Sequence, residues 1–218
     1  MMCKGFVYMN VITYQSYQEE QLEALLIVVG HIGTPESLIR RELQDMIAGY
    51  LSFRSDADDF LSENFSDICT EKCYRSNLSA CCSREGIITF FADVVINLLV
   101  SGPVEISALR AVLEKENRGF KCVYLGNKGC LWRVKPVVCE MFLCDTAKNK
   151  VFSRKPGLIQ EWTALKKKEK SFTWPDRPVL FDKIESYFKA AGYSSSLMYM
   201  HNSPGLLRVK KLAKMKDA

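Results

Sequence analysis

Eight of the nine cysteines in this chain fall into two spaced sets. The first is Cys69-x3-Cys73-x7-Cys81-Cys82, and the second is Cys122-x7-Cys130-x8-Cys139-x4-Cys144. Thiolate sulfur is soft and polarizable, so it suits zinc, iron–sulfur clusters and copper(I). Four thiolates complete a tetrahedral zinc site or hold an iron–sulfur cluster. Eight could fill two such sites, or mix ligand and structural roles. Neither set has the C-x2-C knuckle of common zinc sites or the C-x2-C-x2-C run of bacterial ferredoxins, so spacing alone does not choose. The neighbours Cys81 and Cys82 carry side chains that tend to point apart. One ligates, while the other bridges, serves a second metal or fills the core. The expected ligands are Cys69, Cys73, Cys81, Cys82, Cys122, Cys130 and Cys139, with Cys144 next because it could already lie inside a helix. Cys3 stands alone and reads as a small buried hydrophobe.

A family pattern runs through the second set. Cys122-Val123-Tyr124-Leu125, Gly129-Cys130-Leu131-Trp132 and Pro136-Val137-Val138-Cys139-Glu140-Met141-Phe142 resemble the second half of the YkgJ-like cysteine-cluster family, described as zinc- or iron-chelating domains. That family's first half is C-x2-C-x2-C-C, to which Cys69, Cys73, Cys81 and Cys82 are similar in type but not in spacing. Lys135 and Glu140 stand where the family carries arginines. The resemblance covers residues 69 to 144 and implies metal or iron–sulfur binding. It says little about a reaction. Some larger relatives are linked to lysine methylation of flagellin, but no methyl-donor motif is recognisable in this chain.

Other chemistries find less support. There is no G-x-S-x-G, no Walker loop and no H-E-x-x-H. His31 follows an apolar helix and reads as a helix-end residue. His201 precedes the Asn202-Ser203-Pro204-Gly205 turn and could complete a metal site, though a structural role is favoured. The basic runs Lys166-Lys167-Lys168-Glu169-Lys170 and Arg208 to Lys216 could meet phosphate backbones, against a solvated helix face as the simpler reading. Phe172, Trp174, Phe181, Tyr187 and Phe188 lie near them and read mostly as core. Asn64 and Asn77 sit in glycosylation sequons, which mean nothing in a cytosolic protein.

The elements that must position these residues read as helices. Glu19 to Val29 ends before Gly30. Thr34 is the expected N-cap of the next helix, with Pro35 at its first position. Leu38, Ile39, Leu43, Met46, Ile47 and Tyr50 then recur at helical spacing. Ser55-Asp56-Ala57-Asp58 is expected to cap a separate short helix through Leu61. Further helices are expected over Gly86 to Val100, interrupted by polar Asp93 and Asn97, and over Val104 to Asn117. Turns and short extended pieces fill Cys122 to Cys144, with a helix start near Cys139. Pro156 to Lys168 and Pro178 to Ala191 complete the set.

Composition frames all of this. The chain has 218 residues, 48% hydrophobic and 25% charged, which is ordinary for a globular protein and excludes a collagen-like or wholly disordered one. The N-terminus MMCKGFVYMNVITYQ has no apolar core followed by a small-residue cleavage site, and no apolar stretch reaches the ~20 residues that span a bilayer. A reducing cytoplasmic location is therefore expected, where thiols serve metals or redox chemistry rather than disulfides. Residues 1 to 118 hold 10 Lys+Arg against 17 Asp+Glu, and residues 119 to 218 hold 20 against 8. The basic half permits an acidic partner.

The sequence thus predicts a mainly α protein, an irregular helical domain organised around a cysteine-rich metal or iron–sulfur site. Its segments are a helical 1–68, a cysteine-cluster 69–144 and a basic helical 145–218, together forming one compact domain. The leading functional expectation is a metal-binding protein holding an iron–sulfur cluster or zinc. Electron transfer or redox sensing follows from the former, with a protein redox partner. The alternatives are a nucleic-acid-binding module with structural zinc and, last, a cluster-dependent modification enzyme. No membrane partner is expected.

Overall fold

The computed structural model describes residues 17–34, 37–83, 88–117 and 119–214. Helix α1 (Tyr17–Ile32) buries Gln21, Ala24, Leu25, Val28 and Ile32 along one stripe. It runs through Gly30 and stops at Gly33, whose φ of 62° is a left-handed stop. Burying Ile32 outweighs the ~1 kcal/mol that a glycine costs inside a helix. Helix α2 (Leu38–Ser66) starts at Ser37, not Thr34. The Ser37 hydroxyl accepts from Arg40 N and donates to Ile32 O, joining the two helices. Pro35 and Cys3 lie outside the described residues.

The expected break at Ser55 is absent. Leu43, Ile47, Tyr50, Phe53, Ala57 and Phe60 form one unbroken buried face, and Ser55, Asp56 and Asp58 lie on the exposed side. Polar residues there decorate the helix without capping it. Beyond Ser66 the chain continues as π-helical turns, Asp67–Tyr74.

Helix α3 (Phe91–Val100) is the hub. Every residue from Phe91 to Leu99 is buried, as expected of a helix that is apolar all round. It begins later than the expected Gly86, although Gly86 itself is outside the described residues. Phe90 is extended, and its N–H is captured by Asp93 Oδ2 at 3.0 Å, while Phe91 N donates to Leu197 O. The far end of α3 is capped by α2. Arg40, 9% exposed, donates to Leu98 O at 3.1 Å and Leu99 O at 3.0 Å, satisfying carbonyls that have no partner within the helix.

Helix α4 (Pro103–Leu113) has its proline at the first position and ends before the expected Asn117. There the Gln18 amide donates to Val112 O, Leu113 O and Lys115 O. A two-residue hairpin follows, β1 (Leu125–Gly126) antiparallel to β2 (Gly129–Cys130), turned by Gly129 at φ 111°. Then come α5 (Val137–Glu140), α6 (Asp145–Phe152), α7 (Leu158–Thr173), α8 (Leu180–Ala190), α9 (Tyr199–Asn202) and α10 (Pro204–Leu212).

The molecule is mainly helical, as expected. One hydrophobic cluster takes residues from all three sequence segments, from Ala24 through Tyr124 and Met141 to Met200. Aromatic pairs tie α2 to α7 and α8: Phe53 stacks on Phe172, Tyr50 meets Phe181 edge-on, and Phe60 stacks on Trp162. Phe181 and Phe188 are core, while Trp174 remains 42% exposed. Among the described residues no helix is long and apolar enough to cross a membrane.

Candidate metal centre

The eight cysteines of the two sets are free thiols, and each is half-buried or exposed. Cys69 and Cys73 ride on the π-helical turns that prolong α2. A turn with two left-handed residues, Asn77 (φ 61°) and Ser79 (φ 36°), then reverses the chain. Leu78 N and Ser79 N donate to Cys73 O, Ala80 N reaches Cys73 Sγ at 3.5 Å, and Cys82 N donates to Ser79 O. Non-glycine residues in that region carry strain, and this turn is what folds Cys81 and Cys82 back beside the π-helical turns.

The second segment is sewn onto the first. Cys122 N donates to Cys82 O at 2.9 Å, and Ser83 bridges Lys121. The Lys121 ammonium donates to Leu78 O and Ser79 O. Leu125 pairs with Cys130, and Tyr74 OH donates to Gly126 O. The two cysteine segments, separated by some 40 residues of chain, therefore meet at one corner.

Helix α3 grips the approach to Cys139. Asp93 Oδ1 accepts Val137 N at 3.0 Å and Asn97 Oδ1 accepts Val134 N at 3.0 Å. These are the two polar residues that interrupt an otherwise apolar helix, four apart and so on one face. An ionic group backs them, with Arg54 and Glu140 buried and Lys135 at the surface. Arg54 donates to Lys135 O at 2.8 Å and Tyr50 OH at 2.9 Å, and Lys135 Nζ lies 2.9 Å from Glu140 Oε2. The longer Arg54–Glu140 approach, 3.6 Å, is a charge contact only.

Most thiols here resist ionisation. Burial, then the charges of Cys81, Cys144 and Cys73, push Cys69 up to about 11. Burial lifts Cys122 to about 11, and it lifts Cys139 to about 12 with help from Cys122 and Asp93. Cys130 is raised by burial too. Cys81 donates its proton to Cys82, which raises the first and lowers the second. Lys135 is a cation acting on Cys69, Cys81 and Cys130. Burial works against its own charge, and Glu140 overcomes that.

As placed, the described residues include no three Cys, His, Asp or Glu side chains close enough to share one ion. The structure thus brings the expected residues to one corner without presenting an assembled metal site. Cys144 is the residue before α6, not inside a helix, and Cys139 lies within α5. Tyr17, at the start of α1, neighbours Cys122 and Cys139 and bonds Thr89 Oγ1 at 3.4 Å.

His201 stands elsewhere. Its Nε2 is 3.3 Å from both Ser186 Oγ and Asp182 Oδ1, and Asp182 pairs with the buried Lys210 at 2.7 Å. Both contacts use one ring nitrogen, so the three do not form a proton relay of the serine–histidine–aspartate kind. His31 ends α1 as expected, bonded to Tyr187 OH at 3.2 Å. Of the basic runs, Lys168 pairs with Asp56 and Lys210 is buried, while Lys166 and Lys170 lie over Trp162 and Trp174.

Sequence reasoning overlooked Asp93, Asn97 and Arg54 as positioning residues. The signal available was polarity inside an apolar run. No protein family, no curated protein and no solved structure matches this chain.

Proposed function

We propose that this is a metal-binding protein of the cysteine-cluster type, holding an iron–sulfur cluster or zinc through Cys69, Cys73, Cys81, Cys82, Cys122, Cys130, Cys139 and Cys144. The observation that supports it is the backbone stitch between Cys82 and Cys122, which gathers thiols from two distant segments around Lys135. The donor chemistry fits: thiols, partly sheltered, with backbone N–H groups of Tyr124, Leu125 and Trp132 directed at Cys122 and Cys130. Backbone donors to thiolate sulfur steady the charge that a bound metal shares. If the group is iron–sulfur, its role is electron transfer or redox sensing with a protein partner. If it is zinc held by four thiolates, the role is structural.

The test is anaerobic purification of the full chain with iron, zinc and acid-labile sulfide analysis and an absorption spectrum. A brown protein with iron and sulfide, or a colourless one with stoichiometric zinc, is expected. Absence of both metals overturns the reading. The nucleic-acid reading draws on charge in residues 119–218, part of which is neutralised internally by Asp56, Glu140 and Asp182. It predicts DNA or RNA affinity that falls steeply with salt.

A further inference from the structure

We propose that Cys81 and Cys82 are a reversible redox pair: a hydroperoxide closes them into a disulfide between adjacent residues, and a monothiol such as glutathione reopens it. The pairing goes beyond the metal reading and belongs to the empty chain. Its bearing on that reading is that closure withdraws two of the eight proposed ligands.

The fold brings together two side chains that an extended chain would hold apart. Cys81 lies in a turn, and Cys82 N closes that turn on Ser79 O at 3.0 Å. Two left-handed residues, Asn77 and Ser79, lead into it. Within it the Cys81 thiol is hydrogen-bonded to the Cys82 thiol. The main chain around the pair is held from outside. Lys121 Nζ donates to Leu78 O and Ser79 O, and Cys122 N donates to Cys82 O at 2.9 Å. Cys82 is therefore fastened at both its N–H and its carbonyl. Cys81 is exposed and Cys82 half-buried, so a small oxidant or a thiol reaches the pair from the Cys81 side.

Closure follows the thiol oxidation ladder. One sulfur of the pair takes the outer oxygen of the hydroperoxide and becomes a sulfenic acid. The O–O bond breaks and the alcohol (water, for hydrogen peroxide) leaves. The other thiol attacks that sulfur, the S–S bond forms, and the oxygen departs as water with the second thiol's proton. The pair loses two electrons and two protons, and the hydroperoxide becomes one alcohol and one water.

Reopening is favoured by the covalent frame. Adjacent Cα atoms stand ~3.8 Å apart across a trans peptide, whereas disulfides prefer roughly 4.4–6.8 Å. The closed ring is strained, and strained, exposed disulfides are the reducible and regulatory ones. Two monothiols reverse the closure. The first forms a mixed disulfide at exposed Cys81, and the second displaces Cys81 and leaves with the first as their own disulfide.

The experiment uses the full chain, reduced and metal-free, under argon. It receives one equivalent of hydrogen peroxide, is quenched with iodoacetamide and is cut with trypsin. Cleavage after Arg75 and Arg84 releases residues 76–84, whose only cysteines are the pair. That peptide should lose both alkyl groups and weigh two hydrogens less than its reduced form, before any other cysteine peptide changes. Glutathione should restore both alkyl groups. Pairing should run ~10-fold or more faster in the folded chain than in urea, where the turn is gone. Cross-linking of Cys81 or Cys82 to another cysteine overturns the proposal. So does a pair that keeps both alkyl groups while other thiols are oxidised, an equal rate in urea, or a closed pair that glutathione leaves closed. Every readout is taken without metal and without variants, so failure here and failure of the metal reading are separate results.

Discussion

Replacing Arg54 by Met tests how the core holds the cysteine corner. The guanidinium is 7% exposed and donates to Lys135 O and to Tyr50 OH. A bond from a charged donor to a carbonyl is worth ~1.5–3 kcal/mol, and stranding the hydroxyl of Tyr50, itself 1% exposed, adds ~1–3. Against this, the variant no longer buries a cation whose Nε has no partner, which returns ~1–2 kcal/mol. Glu140 keeps Lys135 at 2.9 Å and is not orphaned. The terms leave a loss centred on ~3 kcal/mol, within ~0.5–5, and ~3 kcal/mol lowers Tm by roughly 6–12 °C in a chain of this size. Thermal and urea unfolding in the presence of chelator read it without any metal contribution. Tyr50→Phe supplies the control. It destabilises the unmutated protein but is neutral or stabilising beside Met at position 54, because the stranded hydroxyl is gone. Coupling between the two changes should therefore reach ~1–2 kcal/mol. No loss at all, or additivity within ~0.5 kcal/mol, would refute the reasoning.

Three further outcomes are expected. Burial lifts the Asp93 carboxyl from 3.8 to about 7, so the folded state holds its proton more tightly than the unfolded chain. The resulting stability is complete below about 4 and is lost as pH rises towards about 7, with a ceiling of ~4 kcal/mol. The stability difference between the protein and Asp93→Asn should follow that slope from pH 4 to 8, and a flat difference contradicts it. Ser37→Ala should cost ~1 kcal/mol in urea unfolding and Thr34→Ala close to nothing, since the hydroxyl of Ser37 is the one that caps α2. Equal effects would restore the cap expected at Thr34. Lys210→Met removes the buried partner of Asp182 and should destabilise by ~3–5 kcal/mol. Burial, then Lys210, lowers the pKa of His201; its NMR titration should therefore move upward in that variant, and an unmoved titration contradicts the contact.

The helices were legible where packing repeats. The apolar spacing of Leu43, Ile47 and Tyr50 and of Ile184 and Phe188 announces α2 and α8, because one buried stripe dictates one period. The errors arose where a local signal met a tertiary one. Ser55 and Asp56 have capping chemistry, yet Ala57 and Phe60 continue the buried face and carry the helix through. Thr34 and Ser37 both suit a cap, and the bond from Ser37 to Ile32 O decides between them. Residues 88–90 are as apolar as α3 itself, but bonds to Asp93 and Leu197 hold the α3 start open. Cysteine type and clustering marked the corner from sequence. Which thiol neighbours which depends on the left-handed turn at Asn77 and Ser79 and on the Cys82–Cys122 bond, and neither leaves a trace in spacing.

The hub helix α3 has one more consequence. It is sealed by α1, α2 and α8 and capped by Arg40, with the thiols lying outside that seal. If the chain binds metal as proposed, folding and loading are separate transactions, unlike those of a zinc finger, whose ordering is the binding event. On that proposal the metal-free chain keeps its core, and any change on loading is confined to one corner. Proteolytic cleavage should distinguish loaded from empty chains around residues 67–83 and 121–144, while α3 and its neighbours stay equally resistant in both. Turnover of such a chain would report metal supply through exposure of that corner alone.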